Sequence, residues 1–144
     1  MKRFFVGILG AMVATASLAM PGFNINNGYP AATMTLSATG STPCIPIISV
    51  VNQGSASAPY LQPMVLVNLS AGASLTYSVQ VTGDDVLATG WSAVTANWVG
   101  FTNMTTLSAS SVGTLGAAAT CIRLNVSAYT SGSAILEVVQ QVRN

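Results

Sequence analysis

Few side chains in this chain could carry out chemistry, and their types exclude most catalytic systems. The sequence contains no histidine, and its single lysine is Lys2. Nucleophile systems that pair serine or cysteine with histidine are therefore excluded, as are histidine metal sites. Two cysteines cannot by themselves complete a four-ligand zinc site. We expect no enzymatic activity and no cofactor or metal.

The one pair of neighbouring carboxylates is Asp84 and Asp85, which directly follow Gly83. Adjacent residues of an extended strand point to opposite faces, so these two cannot flank a substrate as acid and base. In a turn both could reach one cation, but a calcium site requires more oxygen ligands than this pair supplies. The pattern is typical of a solvated turn after a strand.

The two cysteines, Cys44 and Cys121, are 77 positions apart, and each lies beside a predicted strand. They could form a disulfide, which the chain-entropy model values at about 4 kcal/mol for so long a loop. They could equally be two buried small hydrophobic residues. A disulfide would indicate an exported protein, whereas free thiols would indicate assembly in a reducing cytoplasm. The residue after Cys121 is expected to face the core, which aims Cys121 outward and disfavours a bond inside the core.

The chain contains few charged residues as well as few residues that could act in catalysis. Four basic and three acidic residues make up 5% of the sequence, and two of the basic residues fall in its first three positions. A protein that binds nucleic acid directly needs a basic face to contact phosphates, and no such cluster exists here. A surface this low in charge protects weakly against association. We expect a homo-oligomer or a subunit of a larger assembly.

Residues 1–19 differ in character from the rest. Lys2 and Arg3 precede an apolar run from Phe4 to Leu18, and small residues stand at Ser17 and Ala19. This order is typical of a secretory signal, and the run is short for a helix that must span a membrane with about 20 apolar residues. The alternative is an uncleaved apolar arm that packs on a neighbouring subunit. Residues 20–144 are predicted to form one domain.

Hydrophobic periodicity after residue 31 predicts short strands separated by turn residues, and it predicts no amphipathic helix. In 74–82 and 121–128, apolar and polar side chains alternate. Residues 83–101 lack alternation and are predicted to form a long connection anchored by Trp91, Trp98 and Phe101. About seven to eight short strands with two apolar-faced layers predict an all-β fold, an antiparallel β-sandwich or jelly roll. The predicted strands are 33–38, 45–52, 64–69, 74–82, 105–109, 119–128 and 134–142.

The last two runs are predicted to form a hairpin through the turn at 129–133. If odd residues pair with odd, Arg123 and Glu137 become neighbours on one face, whereas a slip of one residue would bury the carboxylate without a partner. Ile135 and Val139 then lie on the outer face beside Arg123. An apolar outer face requires a cover, so these four residues form the predicted interface.

Three segments in order, YSVQVTGDD (77–85), MTTLSASSVGTLGAA (104–118) and TCIRLNVSAYTSGSAILEVVQ (120–140), resemble a group of small structural proteins of tailed phages. The terminal segment matches that group's closing pattern at Ile122–Val126, Tyr129–Gly132, Leu136, Val138 and Gln140. The resemblance covers about the last seventy residues and implies a virion component, such as a capsid decoration or cement protein or a head-fibre-like protein. It implies capsid or other virion proteins as partners and no catalytic residues.

Three functions therefore stay open at this point. The first is a virion protein that is assembled in the host cytoplasm and decorates or cements the capsid through apolar and backbone contacts. The second is an exported β-sandwich subunit or adhesin at the cell surface, with a cleaved signal. The third is a secreted hydrolase or sugar-binding module that uses Trp91 and Trp98 as a stacking platform, although aromatic residues in a β-domain more often serve packing.

Overall fold

The structure is a computed structural model that describes residues 24–26, 29–47, 62–116 and 118–140. These residues form ten β-strands and no helix, which confirms the predicted all-β class. The prediction of a leader at residues 1–19 lies outside the described residues. The strands are β1 (Asn24–Asn26), β2 (Tyr29–Leu36), β3 (Gly40–Ser41), β4 (Ile45–Pro46), β5 (Met64–Leu69), β6 (Ser74–Thr82), β7 (Val99–Gly100), β8 (Ser111–Thr114), β9 (Cys121–Ser131) and β10 (Ala134–Val139).

The strands build two antiparallel sheets. The first sheet has the strand order β1-β2-β10-β5-β8. The second has the order β3-β9-β6-β7. Strand β4 also pairs with β9, at a different position along the same edge of β9 as β3. The bounds of β5 and β6 agree with the predicted strands 64–69 and 74–82. The two sheets pack face to face as a β-sandwich.

Alternation along the strands builds the core between the sheets. In β6 the side chains of Leu75, Tyr77 and Val79 are buried, while the residues between them are not. Leu136 and Val138 of β10 are fully buried from the other side. Each strand therefore turns every second side chain into a shared apolar core.

Tyr77 also links the two sheets through its hydroxyl group. It extends from β6 in the second sheet and donates a hydrogen bond of 2.7 Å to the carbonyl of Ala109, and its oxygen lies 2.7 Å from Ser111 Oγ at the start of β8. Burial raises the pKa of this phenol, while the bond with Ser111 acts in the opposite direction. A buried phenol requires such partners, because leaving it without them costs about 1–3 kcal/mol.

The predicted terminal hairpin is wrong. The strands β9 and β10 both form, but β9 pairs with β6, β3 and β4, whereas β10 pairs with β2 and β5. The turn between them carries the chain from one sheet to the other. Arg123 and Glu137 consequently lie on opposite outer faces of the sandwich and cannot pair. Alternation fixes which side of a strand is buried but not which strand lies beside it, so it could not show that β9 and β10 belong to different sheets.

Two neighbouring crossings between the sheets explain this turn. The β5–β6 connection, like the β9–β10 connection, carries the chain between the two sheets. The two connections are joined by hydrogen bonds from Ser70 N–H to the Ser133 carbonyl (3.0 Å) and from Ser133 N–H to Ser70 Oγ (2.9 Å). Gly132 has a φ of 87°. A Cβ atom added there would lie 2.6 Å from both Cα and Cβ of Ala73. Glycine is therefore required by conformation and by space.

The predicted strand 105–109 is also wrong. Within it only Leu107 pairs with β6, through a reciprocal pair of 2.8 Å hydrogen bonds with Tyr77. Asn103 and Thr106 adopt positive φ angles of 65° and 55°, which interrupt an extended run. The strand in this part of the chain is instead β8, and it pairs with β5.

Candidate contact surface

The outer side of the first sheet carries a group of apolar side chains among the polar residues Thr33, Thr35, Asn68, Thr114 and Glu137. Residues directly opposite each other on antiparallel strands point to the same side of the sheet, so the register identifies the neighbours on this face. Val139 lies between Ala31 and Met64. Leu66 lies opposite Val112 on the next strand. We call the set Ala31, Met64, Leu66, Val112, Ile135 and Val139 the apolar face.

The members of the apolar face are partly or largely accessible to solvent. Met64 is 36% exposed and Val112 is 65% exposed, while Leu66, Ile135 and Val139 are half-buried among their strand neighbours. Single exposed apolar residues are common on proteins, but connected ones are typical of a surface that packs against another protein. The prediction that Ile135 and Val139 face outward therefore agrees with the structure, although Arg123 is not beside them.

Among the described residues, Glu137 is the one charged residue on this side of the first sheet, and it lies between Ile135 and Val139. Its direct neighbours across the sheet are Thr33 and Leu66, and Ile135 and Val139 precede and follow it on the same side of β10. The side chain is half-buried. Within the described parts of the chain, its carboxylate has neither a hydrogen bond nor an ion pair.

The outer face of the second sheet has the opposite character. Its polar side chains bond to one another and to nearby loops: Ser41 Oγ donates to Asn125 Oδ1 at 2.8 Å, and Ser78 Oγ accepts the Thr106 N–H at 2.9 Å. The hydroxyl and amide groups of this face are thus largely used within the domain. The outer face of the second sheet is therefore polar, whereas that of the first sheet is mixed and includes the apolar face.

Arg123 is held on the polar face by three groups. Its Nε donates to Gln80 Oε1 at 2.8 Å, its Nη1 donates to the carbonyl of Ala93 at 3.2 Å, and its guanidinium carbon lies 4.0 Å from the centre of the Trp98 ring. Burial lowers the pKa of this guanidinium from its ordinary value, but arginine stays charged at any pH that a folded protein meets. This cation therefore fastens the 83–98 connection onto the second sheet and is not available as a contact residue.

The aspartate pair has a structural task in the same connection. Asp84 accepts the backbone N–H of Asn97 at 2.8 Å and its side-chain amide at 3.3 Å. These bonds, the backbone one first, lower the pKa of Asp84. Asp85 accepts the Leu87 N–H at 3.0 Å. The predicted turn is present, and Asp84 joins the start of the connection to Asn97 near its end. Among residues 24–26, 29–47, 62–116 and 118–140, no group of three or more histidine, cysteine or acidic residues could hold a metal.

The predicted anchors of this connection differ in their roles. Trp98 donates its indole N–H to the Ala93 carbonyl at 2.8 Å and stacks on Arg123, so its ring is not a free platform for sugars. Phe101 is buried in the core. Trp91 is half-buried, and its indole N–H has no hydrogen-bond partner in the described structure. Packing is therefore the main task of these aromatic residues.

Cys44 and Cys121 form a disulfide with a Cα–Cα distance of 5.8 Å. Pro46 pairs with Cys121, so Cys44, two residues earlier, lies diagonally from Cys121 on the outer side of the second sheet. Cys121 points outward as expected from its neighbour Ile122, yet it is fully buried there. The disulfide joins the edge formed by β4 to the central strand β9.

A shallow groove of about 340 Å³ lies at the corner where β6 begins and β9 ends. Its walls come from residues 73–76, Ser108 and residues 128–130. Tyr129, the aromatic residue in the wall, donates its hydroxyl proton to the Gly132 carbonyl at 3.1 Å. No charged side chain lines the groove, so it offers little for a specific ligand.

The sequence had pointed to two members of the apolar face and missed the others. Met64 and Leu66 alternate with the fully buried Val65 and Val67, so β5 is apolar on both sides. That double pattern was readable in the sequence as a strand with a cover on each face. Val112 gave no such signal, because β8 is short and rich in serine, threonine and glycine.

Comparison with known proteins assigns no family to this sandwich. No protein-family model matches the chain, and no curated protein matches it significantly. In the part of the chain that the structure describes, no helix has the length and apolar character required to cross a membrane. The contact surface is therefore interpreted from its own residues, and the resemblance to phage structural proteins stays a prediction from the sequence motifs.

Proposed function

We propose that this chain is a non-enzymatic structural protein of a tailed-phage virion, and that it decorates or cements the capsid through its apolar face. The observation that carries the proposal is the apolar face, in which Met64 is 36% and Val112 65% exposed to solvent. The sequence motifs of the last seventy residues supply the virion context. Copies of this chain associate with one another as homo-oligomers on the particle.

The contact works through apolar burial and shape rather than through many ion pairs. The accessible members of the face are aliphatic residues and one methionine, and flat sheet surfaces of this kind pack closely on another sheet or helix. Water released from these side chains stabilises the contact by about 25 cal/mol for each Å² of apolar surface buried. Such a contact depends little on ionic strength.

The first experiment asks whether the protein belongs to the particle. Purified phage particles are washed in about 1 M salt, where charges are screened within about 3 Å, and the retained protein is quantified by mass spectrometry. Retention at a constant number of copies per particle is the expected result. Absence from particles, or complete release by salt, would contradict the proposal.

The second experiment tests the surface. The double variant Ile135→Ser and Val139→Ser should fold but bind weakly to particles assembled without the protein. The matched control makes the same chemical change, aliphatic to serine, at Leu87 and Val94, which are 82% and 91% exposed on the 83–98 connection. Equal loss of binding by both double variants would refute the role of the apolar face.

An exported β-sandwich subunit or adhesin is the second proposal, and the disulfide between Cys44 and Cys121 favours it. Disulfides persist in secreted proteins and on virion surfaces, whereas the cytoplasm keeps thiols reduced. The intact mass of the natural protein separates the two functions. A chain that lacks its first 19 or so residues and is found at the cell surface supports export, whereas a full-length chain on particles supports the virion protein.

A further inference from the structure

The disulfide between Cys44 and Cys121 lies outside the hydrophobic core of the sandwich. These are the two cysteines of the whole chain, so each can pair within the chain only with the other. Among the described residues, the core between the sheets includes neither of them. Cys121 is the first residue of β9, and its side chain points to the outer side of the second sheet. The core can therefore form before the two sulfur atoms are joined.

The backbone on both sides of Cys44 is fixed by contacts that do not involve sulfur. Thr42 donates its N–H to the Leu124 carbonyl at 2.9 Å, and its Oγ1 accepts the Leu124 N–H at 3.0 Å. After Cys44, Ile45 is 0% exposed in the core and pairs with β9. The Cα of Cys44 lies 5.8 Å from that of Cys121, within the range that a disulfide requires. Folding by itself therefore brings the two thiols together.

The two cysteines differ in their access to solvent. Cys121 is fully buried, whereas Cys44 is half-buried beside the exposed Pro43. Thiol–disulfide exchange requires direct attack of a thiolate on a sulfur atom of the other reactant. Access decides which cysteine meets a dissolved reagent first. In the folded dithiol that cysteine is Cys44.

We propose that the domain folds with both thiols reduced, and that Cys44 is the site at which a small-molecule disulfide, such as oxidised glutathione, then oxidises it. The Cys44 thiolate attacks the reagent, forms a mixed disulfide and releases one small thiol. The Cys121 thiolate next attacks the Cys44 sulfur and releases the second small thiol. Two electrons pass from the protein dithiol to the reagent, and the protons of the two cysteines end on the two small thiols. The bond thus closes in a domain that is already folded.

Closing the bond locks the edge segment 42–47 onto β9. A bond between residues 77 positions apart shifts the folding equilibrium by roughly a thousandfold in the chain-entropy model. The folded dithiol is competent for assembly in a reducing cytoplasm, and the bond closes after release into an oxidising medium. This order reconciles the disulfide with cytoplasmic assembly, and it is independent of the partner that covers the apolar face.

The first test asks whether the reduced chain folds. Purified full-length protein is reduced with dithiothreitol, and its circular dichroism and urea unfolding are recorded beside those of the oxidised form. The reduced protein should keep the β-sheet spectrum and should unfold cooperatively at a lower urea concentration. A reduced chain that is unfolded in native buffer would overturn the proposal, because the bond would then be required before the fold.

The second test asks which cysteine reacts first. Cys121→Ala leaves Cys44 as the single thiol, and the matched variant Cys44→Ser leaves Cys121 beside a side chain of similar size. In native buffer with oxidised glutathione, intact mass should show a mixed disulfide on Cys121→Ala. Cys44→Ser should react at least about a hundredfold more slowly, since a buried group reacts only when the structure opens. In urea both variants should react alike. Equal rates in native buffer, or faster reaction of Cys44→Ser, would overturn the assignment of Cys44.

Brief alkylation of the reduced wild type keeps the test decisive if a variant fails to fold. Iodoacetamide is added for short times in native buffer, and peptide mass spectrometry locates the label. Cys44 should be labelled first, and Cys121 only after the protein is unfolded. Labelling of Cys121 first, or of both cysteines at the same rate in the folded protein, would contradict the proposed order.

Discussion

Replacement of Gly132 by alanine tests the crossing between sheets on which the apolar face depends. The residue has a φ of 87°, and a positive φ costs a non-glycine residue about 1–2 kcal/mol. The new Cβ would lie 2.6 Å from Cα and Cβ of Ala73 and 2.9 Å from Ser70 Oγ. Two of these atoms are fixed close to the backbone, so the corner must shift at a further cost of about 1–3 kcal/mol. We expect a total loss of about 2–5 kcal/mol in the free energy of unfolding.

Gly72 provides the matched control in the neighbouring corner. Its φ is 71°, but an added Cβ would meet nothing within 4 Å. Gly72→Ala should therefore cost only the conformational term of about 1–2 kcal/mol. Urea unfolding followed by circular dichroism measures both variants. Equal losses would refute the close approach of the two corners, and with it the placement of Arg123 and Glu137 on opposite faces.

Three further changes test other parts of the structure. Tyr77→Phe removes the hydroxyl that joins the two sheets and should lower the free energy of unfolding by about 1–2 kcal/mol in urea titrations; an unchanged midpoint would contradict that link. Replacing Cys44 and Cys121 by alanine should cost about 4 kcal/mol, and thiol titration of the unfolded wild type should find no free thiols in these residues, so two reactive thiols would refute the bond. The pKa of Asp84 is lowered by hydrogen bonds in the folded state, so its contribution to stability is present above about pH 4 and is lost as the pH falls through that lowered value. In melting curves recorded below about pH 4, the wild type should therefore lose its advantage over Asp84→Asn, whereas Asp85→Asn serves as the control; a constant difference at all pH values would contradict this reasoning.

The local character of each strand could be predicted from the sequence. The bounds of β5 and β6 followed from alternation, because a strand with one buried side repeats its apolar residues every second position. The strand predicted at 134–142 begins with β10 at Ala134, but it is apolar on both sides rather than alternating, and β10 ends at Val139. The unpatterned stretch predicted as a connection over 83–101 is one as far as Trp98, but the short strand β7 at Val99–Gly100 was missed.

Strand pairing could not be predicted in the same way. A short polar turn between two alternating runs is typical of a hairpin, but it is equally compatible with a corner between two sheets. The deciding contact is between Gly132 and Ala73, which are far apart in sequence. The same limit applies to Arg123, whose partners Gln80 and Trp98 come from another strand and from the 83–98 connection.

The candidate surface was predictable in part. Ile135 and Val139 were identified because β10 is apolar on both sides, and Glu137 was identified as a charge that avoids the core. Leu66, which lies opposite Glu137, and Met64, which lies opposite Val139, could be identified only once the register of β5 against β10 was known. A surface made of several strands is a property of sheet order, and the sequence does not state that order.

Oxidative footprinting of Met64 tests the central claim most directly. This side chain is 36% exposed on the apolar face, whereas Leu87 on the 83–98 connection is 82% exposed and serves as the internal reference. Hydroxyl radicals modify both in the free protein, and tandem mass spectrometry locates each product. Our account predicts that modification of Met64 falls strongly in the particle-bound protein while that of Leu87 is unchanged. Equal modification of Met64 in the free and bound protein would contradict the assignment of the apolar face as the contact surface.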